Sequence, residues 1–171
     1  MATDQNEEIE DLNSPENIQK RVESNLLLGV MKELNALEGY PRMQVFITHG
    51  FLELLANTLI KKKAKNGKKI VKDTRTYSYS TQILILNELE IISDKEYEVL
   101  NWFRKLRNKA AHEALFQITY KDLSQINLDN KKVDVSDFTK LCNYLILNMI
   151  NHRMDVLGPD IAPTMGSWEA E

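Results

Sequence analysis

The sequence predicts an all-α protein, a bundle of about five long helices, and three observations carry that expectation. Apolar residues recur at three- and four-residue steps through most of the chain. Helix-start chemistry stands at the head of those stretches, as in Ser14-Pro15-Glu16 and Ser93-Asp94-Lys95-Glu96. Breakers, Gly39-Tyr40-Pro41 and Gly158-Pro159, sit where the periodicity stops.

The first helix is expected from Ser14-Pro15-Glu16, an N-cap, a proline at the first position and an acid in the first turn, to about Leu37. It buries Val22, Leu26, Val30, Leu34 and Leu37. The second runs from Pro41 to about Lys61 on Val45, Leu52, Leu55 and Leu59. Phe46, Phe51 and Leu54 widen its apolar face, which makes it the central helix. A basic linker follows, with Asn66-Gly67 as its turn signal. Ser78 or Ser80 caps a third helix holding Ile83, Leu84, Ile85, Leu86 and Leu89. So short an apolar run also fits a buried strand, but Gln82, Asn87, Glu88 and Glu90 at its ends favour helix.

The fourth helix opens on the S-x-x-E spacing of a capping box and carries Tyr97, Leu100, Phe103, Leu106 and Ala110 as one stripe. Beyond it, Thr119-Tyr120-Lys121-Asp122 can cap a short helix and Leu128-Asp129-Asn130 has the composition of a turn. A last helix is expected from Ser136 to about Leu157 on Phe138, Leu141, Leu145 and Met149, ended by Gly158-Pro159.

At 171 residues, 43% hydrophobic and 27% charged, the chain suits one globular domain. That domain spans 14–157, between an acidic, disordered segment 1–13 and a flexible tail 158–171. A net charge of −3 is too small to imply a partner, but its distribution is uneven. The first sixteen residues hold six acids and no base, whereas Lys61 to Arg75 hold eight bases and one acid. The single cysteine, Cys142, excludes an internal disulfide and a thiolate zinc cage. With no signal peptide or membrane-length apolar run, the expectation is a cytoplasmic protein without membrane association.

The stretch with chemical potential is Trp102 to Glu113, WFRKLRNKAAHE. Histidine exchanges protons near neutral pH, and arginine braces a phosphate through a planar fork of donors. Arg107 and His112 together suffice for cleavage of an RNA strand by its own 2′-hydroxyl, with Asn108 orienting the imidazole or contacting a phosphate oxygen. On an unbroken helix the two side chains stand about 140° apart. Either the helix ends or kinks near Ala110-Ala111, or two copies combine their residues across a two-fold axis. The small Ala110 and Ala111 permit close approach of another helix, which favours a homodimer. The structural alternative is a solvated arginine and a histidine satisfying helix C-terminal carbonyls.

RNKAAH resembles the signature of the HEPN superfamily: Arg, a polar residue, then His after four to six intervening residues. The resemblance is strongest to the mannitol-operon-repressor-like branch. There a segment like VFITHGFLELLANTLI precedes a linker, a helix like TQILILNELEIISDKEYEVL, and the RN…H segment, so that it covers roughly residues 40–125. It implies a HEPN-like bundle and a metal-independent endoribonuclease, with no cofactor, whose Arg and His meet between two protomers. It also implies a toxin–antitoxin or phage-defence setting, with RNA as substrate and an antitoxin or other protein as partner. HEPN toxins paired with a nucleotidyltransferase antitoxin carry Tyr two residues after the His. Ala114 stands there instead, so regulation through that tyrosine is not expected. The mannitol-repressor-like branch is associated with regulation, which leaves a non-catalytic protein-interaction module as the alternative.

The basic linker offers a second surface. Lys61, Lys62, Lys63, Lys65, Lys68, Lys69, Lys72 and Arg75 can neutralise phosphates, with Tyr77 and Tyr79 to stack on bases, and the acidic N-terminus can shield them. His49 reads as a core or interface histidine and His152 as a helix C-terminal one. Glu53 can pair with Arg107 or lie exposed. No metal-ligand spacing, glycine-rich phosphate loop, nucleophile elbow or basic recognition helix is present.

Overall fold

The computed structural model describes residues 25–126 and 135–161, apart from the side chain of Pro159. The acidic N-terminus, the Ser14-Pro15-Glu16 start, the turn at Leu128-Asp129-Asn130 and the chain after Ile161 lie outside the described residues. Eight helices are described: α1 Leu26–Ala36, α2 Pro41–Lys63, α3 Gly67–Lys72, α4 Tyr79–Glu88, α5 Asp94–His112, α6 Tyr120–Leu123, α7 Phe138–Asn151 and α8 Met154–Ile161. A 3₁₀ turn, Val135–Asp137, leads into α7, and no strand occurs among the described residues. The chain is an all-α bundle.

α2 is the axis of the bundle, packing against α1, α3, α4, α5, α7 and α8. Val45, Leu52, Leu55, Ala56, Leu59 and Ile60 are wholly buried along it. It is also the described helix long and apolar enough to cross a membrane, and most of that apolar stretch is buried inside the bundle. Pro41 fits its first turn, where no helical N–H is needed, and Lys61 to Lys63 complement its C-terminal dipole. Gly39 before it has φ +87°, a conformation that side chains resist.

Local chemistry sets several helix ends as expected. The Ser93 hydroxyl accepts from the Glu96 N–H at 3.3 Å, while Glu96 accepts from the Ser93 N–H at 2.8 Å. Thr119 and Asp122 form the same box at α6. α6 is then held to α5 by Trp102 Nε1 on the Asp122 carbonyl (2.9 Å) and Lys109 Nζ on its carboxylate (2.8 Å).

Four expectations are corrected by tertiary contacts. The linker contains a helix, α3, and Gly67 opens it rather than making a free turn: a Cβ there would lie 2.0 Å from the Ile60 carbonyl oxygen. On α1, Asn25 supplies the cap at the described start, and Leu27 is buried while Leu26 is exposed. Leu54, Leu84 and Leu89 are exposed as well, because no described helix covers the faces they occupy. The last helix breaks at His152-Arg153. There the buried Arg153 guanidinium turns inward onto the Ile91 carbonyl (3.0 and 2.8 Å), the Met149 carbonyl (3.0 Å) and Glu96 (2.9 Å). Helix then resumes through Gly158 to Ile161, because Val156, Leu157 and Ile161 are buried and Lys62 holds the Val156 carbonyl and Asp160. Helix with buried side chains therefore continues past residue 157.

Candidate active site

α5 presents two faces. Leu100, Trp102, Phe103, Leu106 and Ala110 are buried, whereas Lys105, Ala111 and His112 are exposed and Arg104, Arg107 and Asn108 lie between. The helix is unbroken to its end, where the Glu113 N–H still bonds the Lys109 carbonyl at 3.0 Å. A kink at Ala110-Ala111 is thereby excluded, and Arg107 and His112 project about 140° apart. The two alanines also divide. Ala110 belongs to the chain's own core, leaving Ala111 for an approaching surface.

Arg107 turns toward α2. Its guanidinium carbon lies 6.0 Å from the centre of the Phe46 ring, and its hydrogen bond to the Asn108 side-chain Oδ1 is long, at 3.4 Å. One turn beyond Phe46 stands His49, 7% exposed. Burial, then the charges of Arg107 and Arg104, push its imidazole down to about 4, so it is neutral at pH 7. Within one chain the charge of Arg107 is thus felt at His49.

Around His49 the packing is polar. Glu53 approaches its Nδ1 at 3.9 Å, and the Tyr79 ring meets it edge-on with centroids 4.7 Å apart. Glu53 makes no ion pair with Arg107 among the described residues. Tyr79 is 8% exposed, and burial, then Glu53, raises its hydroxyl well above the usual phenol range. Tyr79 therefore cannot stack on an incoming base, although the half-buried Tyr77 retains one open side.

His112 projects into solvent from a fixed backbone. Arg42 on α2 donates to the carbonyls of Glu113 (2.6 Å) and Ala114 (3.0 Å), closing the end of α5 with a cation. Phe116 lies 5.8 Å from Arg42 and 5.9 Å from Lys109, which completes that corner. Asn108 stands one turn before His112 and next to Arg107, so it bridges the two in direction.

The basic loop is intact as a surface with one exception. Lys61, Lys63, Lys65, Lys68, Lys69, Lys72 and Arg75 are exposed, but Lys62 is engaged by Asp160 and the Val156 carbonyl. A groove of about 360 Å³ lies at the other end of α5, lined by Glu96, Leu100, Tyr144, Asn148 and His152 among others, and includes none of Arg107, Asn108 and His112. Among the described residues no three His, Cys, Asp or Glu side chains are placed to share a metal ion. Burial pushes the Cys142 thiol up to about 12, which marks it as a packed side chain.

Three features carry no assigned role in the sequence: Arg104, Arg42, and the grouping of Phe46, His49 and Glu53 as one stripe beside Arg107. The first and last carry a legible signal, since Arg104 stands three before Arg107 and the stripe has i, i+3, i+7 spacing. Arg42 acts over 71 residues and carries none. Comparison of the chain with protein-family models, curated proteins and solved structures finds no match.

Proposed function

We propose that this chain is a HEPN-like homodimer that cleaves RNA without a metal ion, using Arg107 and His112 with Asn108 in support. One observation carries the reading: an unbroken α5 projects a half-buried arginine and an exposed histidine about 140° apart, a pair that one chain cannot close. Two copies packed with their α5 helices near a two-fold axis close it twice, Arg107 of each facing His112 of the other.

In that arrangement a neutral His112 takes the proton of the 2′-hydroxyl, and the 2′-oxygen attacks phosphorus. The bond to the 5′-oxygen breaks, and that oxygen leaves with a proton from water, giving a 2′,3′-cyclic phosphate and a 5′-hydroxyl. Arg107 meets the charge that grows on the phosphorane oxygens. The exposed lysines after α2 guide the strand electrostatically. A cytoplasmic toxin or defence role, with an antitoxin as partner, follows from the same resemblance.

The test is incubation of RNA with the purified protein in EDTA, beside His112→Ala and Arg107→Ala. Cleavage in the wild type, lowered about a hundred- to ten-thousand-fold in each variant, supports the enzyme. Intact RNA with all three folded proteins removes it. The second reading, a regulatory module, is favoured by the exposed apolar side chains Tyr40, Met43 and Leu115, which flank in sequence the Arg42 contact at the end of α5. Such side chains suit a protein partner.

A further inference from the structure

We propose that Arg104 is a second phosphate-binding residue of this site, and that Arg104 and Arg107 together hold the phosphodiester backbone of one RNA strand. The proposal deepens the ribonuclease reading and rests on it for the identity of the ligand.

The spacing comes first. Residues three apart on a helix are surface neighbours, so α5 presents two guanidiniums side by side. Their charges converge in the structure too, since both act on the same buried imidazole, His49. Arg104 is itself only partly exposed, held by Asn101 on its own helix, and its charge reaches the Tyr79 hydroxyl as well.

Among the described residues neither guanidinium is neutralised. No carboxylate lies within ion-pairing distance of either among the described residues. Arg104 donates through Nε and Nη2 to the single side-chain oxygen of Asn101, Oδ1, at 3.1 and 3.0 Å. Arg107 has only its 3.4 Å contact with Asn108, beyond the ordinary range for an N–H···O bond. A guanidinium has five N–H donors, so most of this capacity is unused. Guanidinium donors match phosphate oxygens in geometry and charge, and two adjacent arginines unpaired among the described residues make a seat for an anion.

The surroundings preserve that charge. Glu53 approaches His49 rather than either arginine, leaving two guanidiniums against one carboxylate. His49 stays neutral, so the positive charge here is that of the two guanidiniums alone. His49 Nε2 and the Tyr79 hydroxyl are buried with no partner among the described residues, on side chains more than nine-tenths buried. Natural cores rarely leave such atoms unsatisfied, although Thr48, Asn57, Gln82 and Asn143 also carry one each.

The experiment uses the full chain and a single-stranded 2′-O-methyl RNA oligonucleotide, which binds but lacks the attacking hydroxyl. Fluorescence anisotropy at several salt concentrations compares wild type, Arg104→Gln, Arg104→Lys and Arg107→Gln, with thermal melts confirming folding. Cleavage of the unmodified RNA is measured in parallel. The expected result is an affinity loss of about tenfold for Arg104→Gln, with a salt slope shallower by about 0.7, the share of one phosphate contact on a single strand. Arg104→Lys is expected to restore the slope and part of the affinity. Wild-type affinity and slope in a folded Arg104→Gln overturn the proposal, even where RNA is cleaved. Arg104-dependent binding without cleavage leaves the proposal standing and removes the ribonuclease reading. Absence of binding by the wild type overturns both.

Discussion

The guanidinium of Arg107 lies over the Phe46 ring, 6.0 Å from its centre, and so faces α2 rather than His112. A cation–π contact of this kind contributes about 0.5–1 kcal/mol at a partly exposed site. That is enough to bias a side chain whose other bond is a long one to Asn108. The consequence reaches His49 one turn away, which feels the arginine's charge.

Arg107→Ala is therefore expected to raise the His49 titration from about 4 toward its ordinary value, whereas His112→Ala leaves it in place. Burial, the larger cause, keeps it depressed even then. Imidazole NMR across a pH series reads this directly. A His49 titration unmoved by Arg107→Ala contradicts the placement of the guanidinium.

The same group makes the fold acid-sensitive. His49 has a folded value of about 4 against 6.5, so the unfolded chain takes up its proton first as pH falls. The stability it contributes is fully present above 6.5 and erodes between 6.5 and 4, on the order of 3 kcal/mol in all. Glu96 adds to this lower down. Burial would raise its carboxyl, but hydrogen bonds from Arg153 and Ser93 outweigh that and hold it below the usual range. Its contribution is present above its ordinary 4.5 and lost as pH falls through the lowered value. Chemical denaturation at stepped pH is expected to show stability falling from 7 to 4, and His49→Gln is expected to flatten that limb. Equal slopes in both proteins sink the assignment.

Gly67→Ala is expected to destabilise by about 3 kcal/mol, at the upper end for overpacking. The added carbon meets backbone at Ile60, not the end of a flexible side chain. Gly50, with open space around it, is the comparison: Gly50→Ala is expected to be neutral or to raise stability by up to about 1 kcal/mol, as alanine favours a helix interior. A Gly67→Ala melt matching wild type contradicts the close approach.

In the basic loop, Lys62 and its neighbours are expected to separate. Lys65→Gln with Lys68→Gln and Lys69→Gln lowers RNA affinity and reduces the salt slope by about 2, three phosphate contacts' worth on a single strand, with little change in melting temperature. Lys62→Gln instead loosens α8 through its lost contacts with Asp160 and the Val156 carbonyl, and lowers stability by about 1 kcal/mol. Amide exchange across α8 and anisotropy titrations together distinguish the two. Lys62→Gln matching the triple variant in RNA binding contradicts this division.

What the chain discloses by itself is its local chemistry. The boxes at Ser93–Glu96 and Thr119–Asp122 and the α2 stripe are legible because the interacting residues lie within a turn or two of each other. The departures come from distant partners. Gly67 is a turn residue in composition, and only the packing of α3 on Ile60 makes it a helix start. The last helix looks continuous until Arg153 reaches Ile91, 62 residues away, and Glu96, 57 away. At the candidate site, Arg107, Asn108 and His112 were legible as types and spacing. The direction of Arg107 was not, because the Phe46 ring it lies over stands on another helix.

Mixing two inactive variants tests the composite site most directly. Arg107→Ala and His112→Ala proteins are unfolded together, refolded as a mixture and assayed on RNA in EDTA. A heterodimer carries one site with both intact residues and one with neither, so random pairing is expected to restore about a quarter of wild-type activity. Each variant refolded alone stays inactive. A mixture as inactive as its components, from a wild type that does cleave RNA, places both residues of a site in one chain and contradicts the account.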